Sequence, residues 1–145
     1  MARKIGAPDK SATLEKPSLS GEAAFTPLIL VVEDEPVVRM FGADLLQAAG
    51  FAVIEASSAD EALGVLQRRD DVSAVFTDIE TPGRLDGVEL ASLIREAWPG
   101  IGVVLTSGRW SRAAADAADG FVPKPYDSDA LLREIREAVR RRPLG

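Results

Sequence analysis

The sequence predicts a doubly wound α/β domain, a five-stranded parallel sheet with helices on both faces, and three observations lead there. A length of 145 residues, 46% hydrophobic and 28% charged, suits one compact core. Short apolar runs alternate with longer stretches of helical spacing, five times between Thr26 and Arg142. Glycine, proline and capping residues mark the junctions between them. Strands separated by helices pair in parallel through right-handed crossovers, which lay helices over the sheet.

Each element has a local reason. Leu28 to Val32 is an uninterrupted apolar run, as expected of a strand buried on both faces. Pro36 to Ala49 follows with helical spacing at Val37, Val38, Phe41, Leu45 and Leu46. Gly50 supplies its stop, and Glu35, just before Pro36, is the expected cap. Ala52 to Ala56 reads as the second strand, and a helix runs to Arg68 behind a Ser58 cap. Ala74 to Thr77 is the third strand, and Gly87 to Ala97 a helix ending before Trp98-Pro99-Gly100. Ile101 to Leu105 is the fourth strand, followed by a short Ala-rich helix at Arg112 to Ala118. Phe121 to Pro123 is the last strand, and the helix from Asp127 to about Arg142 carries the stripe Leu131, Ile135, Ala138 and Val139.

Residues 1–25 lack apolar periodicity and read as a flexible tail, residues 26–142 as the folded domain, and 143–145 as a C-terminal tail. The net charge is −6, and the tail's basic residues Arg3, Lys4, Lys10 and Lys16 leave the remainder more acidic still. An acidic domain repels phosphate backbones, so direct DNA binding is not expected, and Arg140 to Arg142 is read as complementing a helix dipole. Cysteine and histidine are absent, which excludes zinc fingers, Cys or Ser-His nucleophiles and histidine acid/base chemistry. No apolar stretch approaches a membrane span and no signal-peptide core is present, so the expected location is the cytoplasm, away from the membrane. No Gly-Lys-Ser/Thr phosphate loop occurs.

In doubly wound sheets the site lies beyond the C-terminal strand ends. Here those ends carry Glu33-Asp34-Glu35, Asp78, Thr106-Ser107-Gly108 and Lys124-Pro125. One acid after a strand is ordinarily a helix cap; three converging in a crevice repel unless a cation offsets them, and a hard oxygen-ligated ion, Mg²⁺ first, suits that role. A carboxylate beside such an ion is a competent nucleophile toward phosphorus. Lys124 and the Thr106 hydroxyl can then offset or hydrogen-bond the phosphoryl oxygens.

VVEDEP, FTDIETPGRLDG, VVLTSG and FVPKPY resemble the signature segments of bacterial response-regulator receiver domains, over roughly Thr26 to Arg142. The resemblance implies strand order 2-1-3-4-5. It also implies Asp78 as phosphoacceptor, Glu33 and Asp34 as the acidic metal pair with Asp78, and the backbone carbonyl of Glu80 as a further metal ligand. Thr106 then matches the switch hydroxyl, Lys124 the phosphoryl-contacting lysine, Phe121 the switch aromatic, and Lys124-Pro125 a cis peptide. Three departures stand out: Glu33 replaces the commoner Asp, the span from Asp78 to Gly87 is one residue longer, and Pro123 lies in a strand, tolerable only at an edge.

The implied function is a stand-alone phosphorelay receiver that catalyses its own phosphorylation and dephosphorylation with Mg²⁺. Its donor would be a phosphohistidine on a sensor histidine kinase or histidine phosphotransfer protein, since this chain has no histidine. Output would pass through a downstream protein contact or homodimer at the Ala113 to Ala118 helix, the Phe121 strand and the last helix. Alternatives are a phosphate sink for a sensor kinase, a receiver-fold adaptor without phosphorylation, and an EF-hand-like calcium binder at Asp78 to Glu89. Against the last, position five of that loop is Pro82 and the preceding segment reads as strand. Asp78 and Glu80 also match the DxD of haloacid-dehalogenase-type phosphatases, but the chain has little room for a substrate cap.

Overall fold

The computed structural model describes residues 25–141; the tails assigned to 1–25 and 143–145, and the end of the arginine run, lie outside them except for Phe25. The elements are β1 (Leu28–Val32), α1 (Pro36–Ala48), β2 (Ala52–Ala56), α2 (Ala59–Arg68), β3 (Val72–Asp78), α3 (Gly87–Ala97), β4 (Gly102–Ser107), α4 (Arg112–Ala117), β5 (Gly120–Pro123) and α5 (Ser128–Arg141). The strands form one parallel sheet in the order β2-β1-β3-β4-β5.

Alternation along each strand divides the core into two layers. Leu28, Leu30, Val32, Val75, Val103 and Leu105 face α2, α3 and α4, meeting Ala62, Leu66, Leu90, Ile94 and Ala114. Ile29, Val31, Phe76, Val104 and Val122 face the other way, against Leu46 of α1 and Leu131, Ile135 and Ala138 of α5. Strands buried on both faces read as unbroken apolar runs, so β1 is legible as LILVV. β3 starts two residues earlier than the apolar run implies, because Val72 is buried and pairs with Leu28 across a register shift. β5 lies at the edge, where the missing amide of Pro123 costs no ladder bond.

The helix ends follow their local chemistry. Ser58 caps α2 by accepting from the Glu61 amide, and Asp86 and Glu89 form a reciprocal capping box on α3. Gly50 follows α1 at φ 102°, a backbone conformation natural to glycine. Glu35 occupies the N-cap of α1 but its side chain makes no cap bond, contrary to the sequence reading; Pro36 starts the helix in its place, with its φ preset. Val37 and Phe41, which match the apolar spacing of α1, are 70% and 51% exposed; the helix buries Gly42, Ala43 and Leu46. Among the described residues no helix is long and apolar enough to cross a membrane.

Candidate functional site

The order of the strands reverses beside β1, so the crevice at the C-terminal ends of β1 and β3 is where a site belongs. Hydrogen bonds hold the chain in place one residue beyond each strand: Glu33 N to Ala56 O at 3.0 Å, Ile79 N to Thr106 O at 2.9 Å, and Lys124 N to Ser107 O at 2.9 Å. Glu33 and Asp34 thus emerge from β1 against Asp78, the last residue of β3. Their carboxylate oxygens lie within 4.8 Å of one another. Glu33 and Asp78 are buried, at 4% and 5% exposure, and Asp34 is open to solvent.

Both oxygens of each buried acid are engaged. Lys124 Nζ donates to Glu33 Oε1 at 2.8 Å and to Asp78 Oδ2 at 2.9 Å. The Glu35 amide donates to Glu33 Oε2 and the Glu80 amide to Asp78 Oδ1, each at 3.1 Å. Burial pushes the Glu33 carboxyl above its ordinary range, opposed by the bonds from Lys124 and the Glu35 amide and reinforced by the charge of Asp78. Burial alone would lower the Lys124 ammonium, but its bonds to Glu33 and Asp78 prevail and push it up to about 12. The pocket therefore carries its own cation, which the sequence reading assigned only to phosphoryl oxygens. Three carboxylates against one ammonium still leave a negative cluster, with exposed Asp34 on its open side. That donor set suits a hard divalent ion that keeps several waters.

Thr106 lies in register with Asp78 on the neighbouring strand. Its hydroxyl is buried and has no hydrogen-bond partner, a state that costs about 1–3 kcal/mol unless something fills it. Glu80 stands exposed in the loop after β3. Phe121, opposite Leu105 on β5, is half-buried against the layer shared with α4. The Lys124-Pro125 peptide is cis, as the resemblance implied. A strand, not a helix, precedes Asp78, so the calcium-loop alternative has no helix-loop-helix frame.

Two residues escaped the sequence reading. Arg39 of α1 donates from Nη1 to the Glu33 carbonyl at 2.8 Å and from Nε to Glu55 Oε1 at 3.0 Å, fixing the acidic turn. Its position one helical turn after Glu35 was the available signal. Tyr126 donates to the Val38 carbonyl at 3.3 Å, stacks on Phe41 at 5.9 Å and meets Phe76 edge-on at 5.3 Å. Nothing in its local sequence indicates these partners.

A sensor kinase, CckA of Brucella abortus, is 35% identical over 139 residues, covering 91% of this chain and 14% of its own length. The nitrogen assimilation regulatory protein NtrX of Azorhizobium caulinodans is 36% identical over 110 residues, covering 72% of this chain and 24% of its own. This chain thus spans a quarter or less of either relative. Among solved structures, the response regulator protein TrrA of Thermotoga maritima, in complex with Mg²⁺-BeF, superposes with a TM-score of 0.72 at 30% identity, covering 78% of this chain and 99% of that one. The response regulator receiver domain family itself matches residues 29–136, taking in every strand end described above. With that span and the β2-β1-β3-β4-β5 sheet, the chain belongs to the receiver domain family of response regulators, the proteins of phosphorelay signalling.

Proposed function

We propose that residues 26–142 form a receiver in which Asp78 accepts a phosphoryl group from a phosphohistidine on a sensor histidine kinase or histidine phosphotransfer protein. An Asp78 carboxylate oxygen attacks phosphorus, an O–P bond forms as the donor P–N bond breaks, and the leaving imidazole takes its proton from solvent. Glu33, Asp34, Asp78 and the Glu80 carbonyl would hold Mg²⁺. When bound, the ion neutralises the acids and offsets charge on the phosphoryl oxygens. Lys124, already on Asp78, turns to a phosphoryl oxygen, and the Thr106 hydroxyl donates to another.

The observation that carries this reading is the buried, unpartnered Thr106 hydroxyl in register with Asp78, a donor with no acceptor in the resting fold. Movement of Thr106 toward the phosphoryl group frees space for Phe121 to turn inward, and the face of α4, β5 and α5 then presents the change to a protein partner. The Mg²⁺-BeF complex of TrrA supports the choice of ion.

Incubation with Mg²⁺ and acetyl phosphate, followed by intact-mass measurement, tests the reading. One phosphoryl increment is expected, abolished by EDTA and by Asp78→Asn. An increment of equal size in EDTA contradicts it.

A further inference from the structure

We infer that Asp60, on α2, is a positioning residue for the cation and phosphoryl pocket, acting through the loop that carries Glu80. The inference rests on the reading of Asp78 and Glu80 given above and adds a residue from another element. The loop between β3 and α3 is held at its ends by Ile79 N to Thr106 O at 2.9 Å and Gly87 N to Ile79 O at 2.8 Å. Its middle, Thr81-Pro82-Gly83-Arg84-Leu85, includes Gly83-Arg84-Leu85, which stand where the family resemblance expects a shorter link.

Pro82 followed by Gly83 at φ 108° is the pattern of a type II turn, whose fourth amide ordinarily closes on the carbonyl of the first residue. Here the Arg84 amide donates to Asp60 Oδ2 at 2.8 Å. A Cβ at Gly83 would collide with that same carboxylate oxygen, so the turn and Asp60 fit only with glycine between them. A second tie lies beside the first: the Thr81 hydroxyl donates to the Leu85 carbonyl at 3.1 Å and accepts from the Ala59 amide at 3.4 Å. Asp60 sits in the first turn of α2, where the helix dipole favours its charge.

The link to the pocket is covalent. The Glu80 carbonyl belongs to the planar peptide unit it shares with Thr81, so fixing Thr81 fixes the direction of that oxygen. The amide of that same Glu80 bonds Asp78 Oδ1, two residues upstream. Releasing the loop from α2 therefore loosens one metal ligand and one bond to the phosphoacceptor together.

The test compares the parent with Asp60→Ala, Asp60→Asn, Gly83→Ala and the Asp60→Ala/Gly83→Ala pair. Mg²⁺ affinity is read by titration calorimetry, Arg84 amide exchange by NMR without metal, and stability by urea. Outer partners of metal ligands typically change affinity by tenfold or more, so Asp60→Ala and Gly83→Ala should each raise the Mg²⁺ Kd about tenfold. The pair should be no weaker than Gly83→Ala alone, because a methyl at φ 108° strains the turn with or without Asp60, while the contact with Asp60 is lost only once. Asp60→Asn keeps an acceptor oxygen and should restore both affinity and Arg84 protection. A purely structural role would lower urea stability without moving Kd. An Asp60→Ala Kd equal to the parent's, or additive losses in the pair, would overturn the role of Asp60 alone. A parent that binds no Mg²⁺ would overturn the pocket reading itself and this inference with it.

Discussion

Lys124 is the only lysine between residues 25 and 141, and it spans the two buried carboxylates of the site. Its removal leaves Glu33 and Asp78 buried without their cation. Lys124→Ala should therefore destabilise the metal-free protein by about 1–3 kcal/mol in urea unfolding, below the figure for a fully buried pair because the side chain is 25% exposed. Millimolar Mg²⁺ should recover part of the loss; an unchanged midpoint would contradict the bridging role. Tyr126 is the single tyrosine, and burial, then the Glu33 charge, pushes its hydroxyl from 10.0 up to about 12. Lys124 rises from 10.5 to about 12. Both groups bind protons more tightly folded than unfolded, so their stabilisation is complete below pH 10.0 and is lost as pH climbs through about 12. Tyrosinate absorbance should titrate well above that of the urea-unfolded chain; coincident curves would show Tyr126 free of its packing. The position of Lys124 beside Asp78 was legible from its place after a strand. Its second carboxylate was not, because that contact spans 91 residues of sequence.

At the scale of elements, periods and the Ser58 cap were legible, while the Glu35 cap and the covered faces were not. Ser58 announces its helix start in sequence, since capping is local chemistry, whereas the Asp86–Glu89 box was not singled out there. Ser58→Ala should cost about 1 kcal/mol in thermal or urea unfolding. The apolar period of α1 was read correctly as a helix but not as to which side is covered, because the chain fixes a period and tertiary packing chooses the face. Val37, Met40 and Phe41 remain exposed while the Tyr126 hydroxyl closes over Gly42, where a Cβ would meet it at 2.9 Å. Gly87, the first residue of α3, abuts the backbone of Asp78 and Ile79, closer than any Cβ allows. Gly87→Ala should displace the end of β3, lowering stability by about 1–3 kcal/mol and slowing phosphorylation. Unaltered rates and stability would mean that the helix start and the end of β3 move independently.

For the molecule as a whole, five repeats of strand and helix prescribe the sheet, and the sheet brings together residues up to 91 positions apart. The convergence of Glu33, Asp34, Asp78 and Lys124 was legible because these residues sit at strand ends, which the fold gathers on one edge. The tie between α2 and the loop after Asp78 was not, since Asp60 reads as an ordinary first-turn acid. Clustered acids also couple stability to the ion: Mg²⁺ at tenfold over its Kd should raise unfolding stability by about 1.4 kcal/mol, and EDTA should reverse it. The central claim is that Asp78 is the phosphoacceptor. The most direct test phosphorylates the chain with acetyl phosphate and Mg²⁺, reduces the acyl phosphate with borohydride, and locates the resulting homoserine by peptide mass spectrometry. The account predicts homoserine at position 78 and nowhere else; reduction at Asp34 or Asp86, or at no aspartate, would contradict it.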